Sequence, residues 1–410
     1  MGDVLQGCAY PDVPVVPRIE FPVDPALPDL ANLFDGSWVW RSSRSQFADA
    51  DRIPCQLRVR QFSHTPGRVA TISYFADWAP EEFQSPDILS CRIETGTPPT
   101  FSRYPRDQFL PGLEQAAYPD SALRLLNEHV FAFPRRKLRV NMVRYRPGSR
   151  AVLQHRSGKI GLYVRLMRPF RVEGLLKAAE LIGRSGFAVP RTVGYWREGG
   201  AVWLSEIPGR NVRRLMRRAN PPDPDAILDG LESLWSASHH SEGRAFDLRG
   251  AYRRAKRTFR HALSKDDDVR QLCENVSRTL DPFVRTWQPS SFAHNDLYDD
   301  QMLLLPDGRV AIVDFEEAGP GDPMLDIGNF LAHLKWAAHI SRSARKDVSG
   351  PYYDRLRDAA LDRLRWNESD LVMREAVCLF RITTNAIRRP DQNWRHRTLK
   401  GLSLVANNLK

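Results

Sequence analysis

The chain has 410 residues, 42% hydrophobic and 27% charged, the balance of an ordinary globular protein with room for two or three packed units. Its 60 Lys and Arg against 49 Asp and Glu give a net charge of +11, but the arginines (Arg213, Arg214, Arg217, Arg253 among them) are strung along the chain without a recognition motif. That excess is read as a surface for anionic or phosphorylated ligands, and nucleic-acid binding is set aside.

The five cysteines are scattered and show no CxxC spacing, which argues against a disulfide framework or structural zinc and for a reducing compartment. The Pro-rich start lacks a signal-peptide pattern and no apolar run approaches about 18 residues, so a cytoplasmic protein without a membrane span is expected.

In chain order, the first signal is a weak internal echo. Phe21-Pro22-Val23-Asp24 with Leu27 and Leu30 recurs as Tyr104-Pro105-Arg106-Asp107 with Leu110 and Leu113. Leu57-Arg58-Val59 before Pro66-Gly67 recurs as Leu138-Arg139-Val140 before Pro147-Gly148. Pro-Gly between β-rich runs marks a turn, so each copy is expected to end in a β-hairpin. Residues 138–145, 150–155, 160–167, 192–197 and 201–205 read as short strands, interrupted by one helix over 172–184. Beyond Pro208-Gly209 the pattern turns helical, over 223–238, 249–263, 326–343, 352–366 and 369–388. The expected fold class is α+β: an extension over 1–130, itself a degenerate repeat of the hairpin unit, a β-rich lobe over 131–207 and a helical lobe over 208–410, with a cleft between lobes.

The densest chemistry lies in 291–334, SFAHNDLYDDQMLLLPDGRVAIVDFEEAGPGDPMLDIGNFLAHL. Pro306-Asp307-Gly308 is a turn between two apolar runs. Antiparallel pairing of those runs would bring Gln301 and Asp314 together beside the loop carrying Asp296. Convergent oxygen ligands suit Mg2+ on substrate phosphates, and phosphoryl transfer needs a carboxylate to orient the attacking hydroxyl.

This segment resembles the catalytic core of the aminoglycoside phosphotransferase and choline kinase superfamily, whose pattern is His-Gly-Asp-x4-Asn, then Asp-Phe/Trp-Glu and Gly-Asp-Pro-x2-Asp. His294-Asn295-Asp296, Asp314-Phe315-Glu316, Gly321-Asp322-Pro323 and Asp326 match it. The resemblance implies a bilobal protein-kinase-like fold using Mg2+ and ATP or GTP, with a small-molecule hydroxyl as acceptor. It makes Asp296 the catalytic base, with His294 and Asp326 bracing its loop, and Asp314 and Gln301 the metal ligands. Two residues depart from the pattern. Asn295 replaces Gly, and Asn also accepts positive φ; Gln301 replaces Asn, as in maltokinase-like members.

Upstream, Arg165 stands where the family carries a lysine near the nucleotide phosphates, an exchange that is not neutral. The helix that follows offers Glu173 or Glu180 as its partner, and spacing to Pro190 favours Glu173. Ser205, Glu206 and Ile207 resemble the hinge whose backbone binds the nucleotide base. Trp235 and His239-His240 end a helix where the family often carries a structural histidine. In the C-terminal helices arginines outnumber acids, which points away from a polycationic aminoglycoside and towards a neutral or anionic hydroxyl compound such as a sugar derivative. The alternative is a catalytically weak nucleotide-binding scaffold, suggested by Arg165 in place of Lys.

Overall fold

A computed structural model of the chain describes residues 13–16, 24–44, 54–77, 87–131, 137–185, 187–236, 242–262, 266–340, 348–388 and 393–410. His239 and His240, and Phe21 to Val23 of the first echo, lie outside the described residues.

The first unit is a five-stranded sheet in the order β1 (Val15–Val16), β2 (Gln56–Thr65), β3 (Val69–Asp77), β4 (Asp87–Glu94), β5 (Thr97–Arg103). A 3-10 turn over Pro28–Phe34 and helix α1 (Gly36–Ser43) cover one face, burying Leu30, Leu33, Val39 and Trp40 against Ile72 and Tyr74. Two short helices, α2 (Leu113–Ala117) and α3 (Pro119–His129), lead into the second unit. Its sheet contains β6 (Arg139–Arg146), β7 (Arg150–Ser157), β8 (Ile160–Met167), β9 (Thr192–Trp196) and β10 (Ala201–Ser205), in the order β6-β7-β8-β10-β9. Helices α2 and α3 cover its outer face through Leu113, Leu125 and Leu126 against Leu153, Val164 and Trp203. Helix α4 (Val172–Gly183) packs on the inner side with Val202 and Leu204.

The two units share contacts as well as sequence. Asp24 accepts from Gly67 N–H at 2.8 Å and bonds His64 Nε2 at 2.8 Å. Asp107 accepts from Gly148 N–H at 2.8 Å and from Tyr145 Oη at 3.0 Å. Gly67 and Gly148 both take positive φ, 69° and 67°, where glycine has no steric cost. The hairpins pair in one register, Thr65 with Val69 and Arg146 with Arg150. Tyr74 Oη donates to the carbonyl of Leu33, and His155 Nε2 bonds that of Ala116 at 2.8 Å. In both units a third strand follows the hairpin: β8 over the expected residues 160–167, and β4 in the first unit, where the turn signals indicate only a hairpin.

The remainder is mainly helical: β11 (Arg210–Asn211), α5 (Val212–Arg217), α6 (Pro224–Trp235), α7 (Leu248–Ala262), α8 (Asp267–Thr286), then four short strands and α9 (Pro323–Ile340), α10 (Ser349–Leu364), α11 (Glu368–Arg388) and α12 (Trp394–Asn408). The strands are β12 (Ser291–Ala293), paired with β15 (Gly319–Gly321), and the hairpin of β13 (Met302–Leu304) and β14 (Val310–Ile312). This is the two-lobed α+β class expected from the sequence. Helices α8 and α12 were not among the expected elements, although Val269, Leu272, Val276, Leu280 and Val284 recur at helical spacing. Among the described residues no helix is long and apolar enough to cross a membrane. Helix α11 packs against β2 as well as α9 and α12, so the first sheet closes over the helical lobe on one side of the interlobe cleft.

Candidate active site

The site is built on two small sheets and the start of α9. Hairpin β13–β14 pairs Met302 with Ile312, and Val313 N–H donates to the carbonyl of Gln301 at 2.9 Å. Gln301 and Asp314 therefore leave adjacent strand ends, as the turn chemistry of Pro306-Asp307-Gly308 predicts. Gln301 Nε2 donates to Asp296 Oδ2 at 3.4 Å, and its buried Oε1 has no hydrogen-bond partner. Burial pushes the Asp296 carboxyl up, to about 6, although Arg381 pulls it the other way. Burial would raise Asp314 too, but the Arg165 and Arg150 guanidinium groups outweigh it and hold that carboxyl at about 2.

The loop before Asp296 is held from below. Asp326, fully buried in the first turn of α9, accepts from His294 N–H at 2.8 Å, Asn295 N–H at 2.7 Å and Trp235 Nε1 at 3.1 Å. Burial raises its carboxyl to about 7, those donors working against the rise. Burial lowers His294 to about 4, leaving its ring neutral near pH 7, and His294 Nδ1 accepts from Asp296 N–H at 3.3 Å. Asn295 takes φ of 67°, and its Nδ2 donates to the Glu317 carbonyl at 2.9 Å. A Cβ on Gly321 would lie 1.9 Å from Asn295 Oδ1, so the asparagine and this glycine fit as a pair. Asp322 caps α9 by accepting from Met324 N–H at 3.0 Å and also takes bonds from Trp287 Nε1 and Arg374 Nε.

Arg165, 6% exposed, reaches the site but not the partner expected for it. Its NH2 lies 2.9 Å from Asp314 Oδ1 and 2.8 Å from Glu316 Oε1, while Arg150 NH1 sits 3.2 Å from Glu316. Glu173 points outward from the first turn of α4 and pairs with Arg197, so the Arg165–Glu173 pair is not formed. At the hinge, Ser205 N–H donates to the Arg191 carbonyl at 2.8 Å and Ser205 Oγ accepts from Arg191 N–H. Glu206 turns back onto β7, 2.5 Å from Arg156 and 3.2 Å from Gln154. Ile207 is half-buried at the start of the link to β11. Sequence reasoning missed Arg213, whose fork clamps Asp299 at 3.0 and 2.9 Å and ties α5 to the turn that carries Gln301. It also missed Glu316, which sits inside the matched Asp314-Phe315-Glu316 segment.

Asp296, Gln301 and Asp314 open into one cleft of about 780 Å³, walled by the β6–β7 hairpin, α11, the start of α12 and the first sheet. Among the described residues no cluster of three His, Cys, Asp or Glu side chains could hold a metal. The oxygen set here counts the amide of Gln301, and the unsatisfied Oε1 beside an ionised Asp314 fits a hard cation such as Mg2+.

No curated protein matches the sequence. Among solved structures, choline kinase from Cryptosporidium parvum superposes with TM-score 0.50 at 10% identity, covering 70% of this chain and 94% of that one. Choline kinase LicA from Streptococcus pneumoniae gives 0.48 at 11%, covering 66% and 94%. A choline/ethanolamine kinase family protein from Mesorhizobium loti gives 0.45 at 17%, covering 72% and 92%. Identities this low speak to fold alone. The model of the phosphotransferase enzyme family matches residues 139–371, more than half of the chain and the whole catalytic segment. The chain belongs to the phosphotransferase enzyme family and is a small-molecule kinase.

Proposed function

We propose that the chain transfers the γ-phosphate of ATP or GTP to a hydroxyl of a neutral or anionic small molecule, with Asp296 as the base. The observation that carries this reading is the convergence of Asp296, Gln301 and an ionised Asp314 on one cleft wall. Asp296 is largely ionised at neutral pH and accepts the hydroxyl proton as the oxygen attacks phosphorus. Gln301 and Asp314 would hold Mg2+, which when bound neutralises charge on the nucleotide phosphates. His294 and Asp326 fix the loop; Arg165 and Arg150 lie beside Asp314, within reach of that charge. The shared contacts of Asp24 and Asp107 support reading 1–130 as a degenerate repeat of the hairpin unit, with 131–207 as nucleotide lobe and 208–410 as catalytic lobe. ATP and GTP would enter over β7 and β8 towards Ser205, Glu206 and Ile207.

The scaffold reading keeps two observations in its favour: Arg165 occupies Asp314, and the Ser205 N–H is bonded within the protein. Thermal stability measured with ATP and GTP, with and without Mg2+, separates the two. A Mg2+-dependent rise in melting temperature that is lost in Asp314→Ala supports the kinase; no shift at millimolar nucleotide refutes it.

A further inference from the structure

The walls of the cleft are unevenly charged. Nine arginines line it against three aspartates. Several are already neutralised: Arg92 by Glu94, Arg150 by Glu316, Arg213 by Asp299. Arg144 on β6 and Arg381 on α11 differ, because neither forms an ion pair with a carboxylate among the described residues. Arg381 is half-buried, its guanidinium 5.1 Å from the ring centre of Phe246 and 3.9 Å from Cys378 Sγ, a weak acceptor. Arg381 acts on the Asp296 carboxylate across the cleft without reaching it in an ion pair, and guanidinium donors that no carboxylate takes up are a site for a bidentate oxyanion.

The first sheet supplies a different wall. It turns towards the cleft the face that β6 and β7 turn in the second unit. Ser63 stands where the second unit has Arg144, Val69 where it has Arg150, and Thr71 where it has Val152, in the matching hairpin register. Both arginine charges are absent from this copy, one position carrying a hydroxyl (Ser63) and the other an apolar side chain (Val69), while Thr71 adds a hydroxyl where the second unit has a valine. Gln61, Ser63, Thr71 and Ser73 all line the cleft, and Ser73, 1% exposed, has an Oγ without a hydrogen-bond partner. A buried hydroxyl left alone costs free energy, and Ser73 beside the half-buried Gln61, Ser63 and Thr71 suits a hydroxylated ligand body.

We propose that the acceptor is a polyhydroxylated compound that already carries an anionic group, its anion held by Arg381 and Arg144 and its hydroxyls read by the face of the first sheet. This deepens the kinase reading and rests on it. The first unit then serves as the acceptor wall, the counterpart of the nucleotide wall formed by the second.

The test uses the full chain saturated with AMP-PNP and Mg2+, so that the nucleotide site is filled, and inorganic sulfate as the probe. Sulfate replaces chloride at constant ionic strength while melting temperature is followed. A saturable rise is expected, as distinct from the non-saturating stabilisation that sulfate gives by exclusion. Arg381→Gln and Arg144→Gln should each weaken the apparent sulfate affinity about tenfold or more. The AMP-PNP shift reports whether each variant is folded, and two variants on opposite walls guard against one that is not. ADP release in the presence of glucose, glucose 6-phosphate and gluconate then separates a phosphate from a carboxylate as the anion. The inference is overturned if sulfate gives no saturable effect on the AMP-PNP complex. It is equally overturned if both variants respond like the parent, or if glucose, choline or kanamycin accelerates ADP release more than either anion. Absence of the AMP-PNP shift itself sinks the kinase reading first, and this inference with it.

Discussion

Replacing Arg165 by Met should expose how the Asp314 and Glu316 carboxylates are held together. The guanidinium bridges Asp314 at 2.9 Å and Glu316 at 2.8 Å; methionine keeps much of the apolar stem and leaves the two carboxylates with Arg150 alone. Losing one partner of a buried pair costs about 3–5 kcal/mol. The Asp314 and Glu316 side chains are 20% and 22% exposed, so water offsets part of that and about 2–3 kcal/mol is expected. At about 2.1 cal/mol/K per residue, unfolding this chain carries about 0.9 kcal/mol/K, and the melting temperature should fall by about 3 °C.

The pH dependence has a definite sign. The folded Asp314 carboxyl is held near 2, below its unfolded value, so its contribution is present above about pH 4 and is lost as pH falls towards 2. In Arg165→Met that carboxyl rises, and the acid-side loss of stability begins at higher pH. Millimolar Mg2+ without nucleotide should restore part of the melting temperature in the variant and do little for the parent, whose Asp314 is already paired. Calorimetry with and without Mg2+ reads both effects. A variant as stable as the parent and indifferent to Mg2+ would show that Arg165 is not what balances the two carboxylates.

Two further outcomes follow from the loop. Asp326→Ala strands three buried donors, from His294, Asn295 and Trp235, and should cost about 3–5 kcal/mol in denaturant unfolding; Asp326→Asn should recover part of that, and equal loss in both would count against the bonding scheme. Turnover should fall as pH drops through about 6, where Asp296 gains its proton and can no longer accept one; a rate that stays flat from about pH 8 to 5 would remove Asp296 as the base.

The geometry of residues 291–334 was legible because it is local. A turn at Pro306-Asp307-Gly308 and a short hairpin are enough to bring Gln301 beside Asp314, and Asn295 tolerates the positive φ that glycine would otherwise supply. Arg165 was harder. Its partner depends on how α4 sits against the sheet, and a 3-10 turn over Pro169–Arg171 starts the helix so that Glu173 faces solvent. Glu316, separated from Arg165 by 151 positions in the chain, takes its place. The clamp of Arg213 on Asp299 is likewise a tertiary contact with no local pattern. The echo between the first two units was visible in two turns and the strand over 160–167 was expected, but its counterpart in the first unit and the repeated bonds of Asp24 and Asp107 needed the fold.

Asp296→Asn is the variant that separates a proton-accepting Asp296 from one that only helps to shape the loop. With Mg2+ and ATP or GTP saturating, phosphoryl transfer to an accepted hydroxyl compound should fall about 10²–10⁴-fold, while the nucleotide-dependent melting shift, which rests on Gln301 and Asp314, is retained. Turnover at the parental rate in that variant would show that Asp296 is not the base.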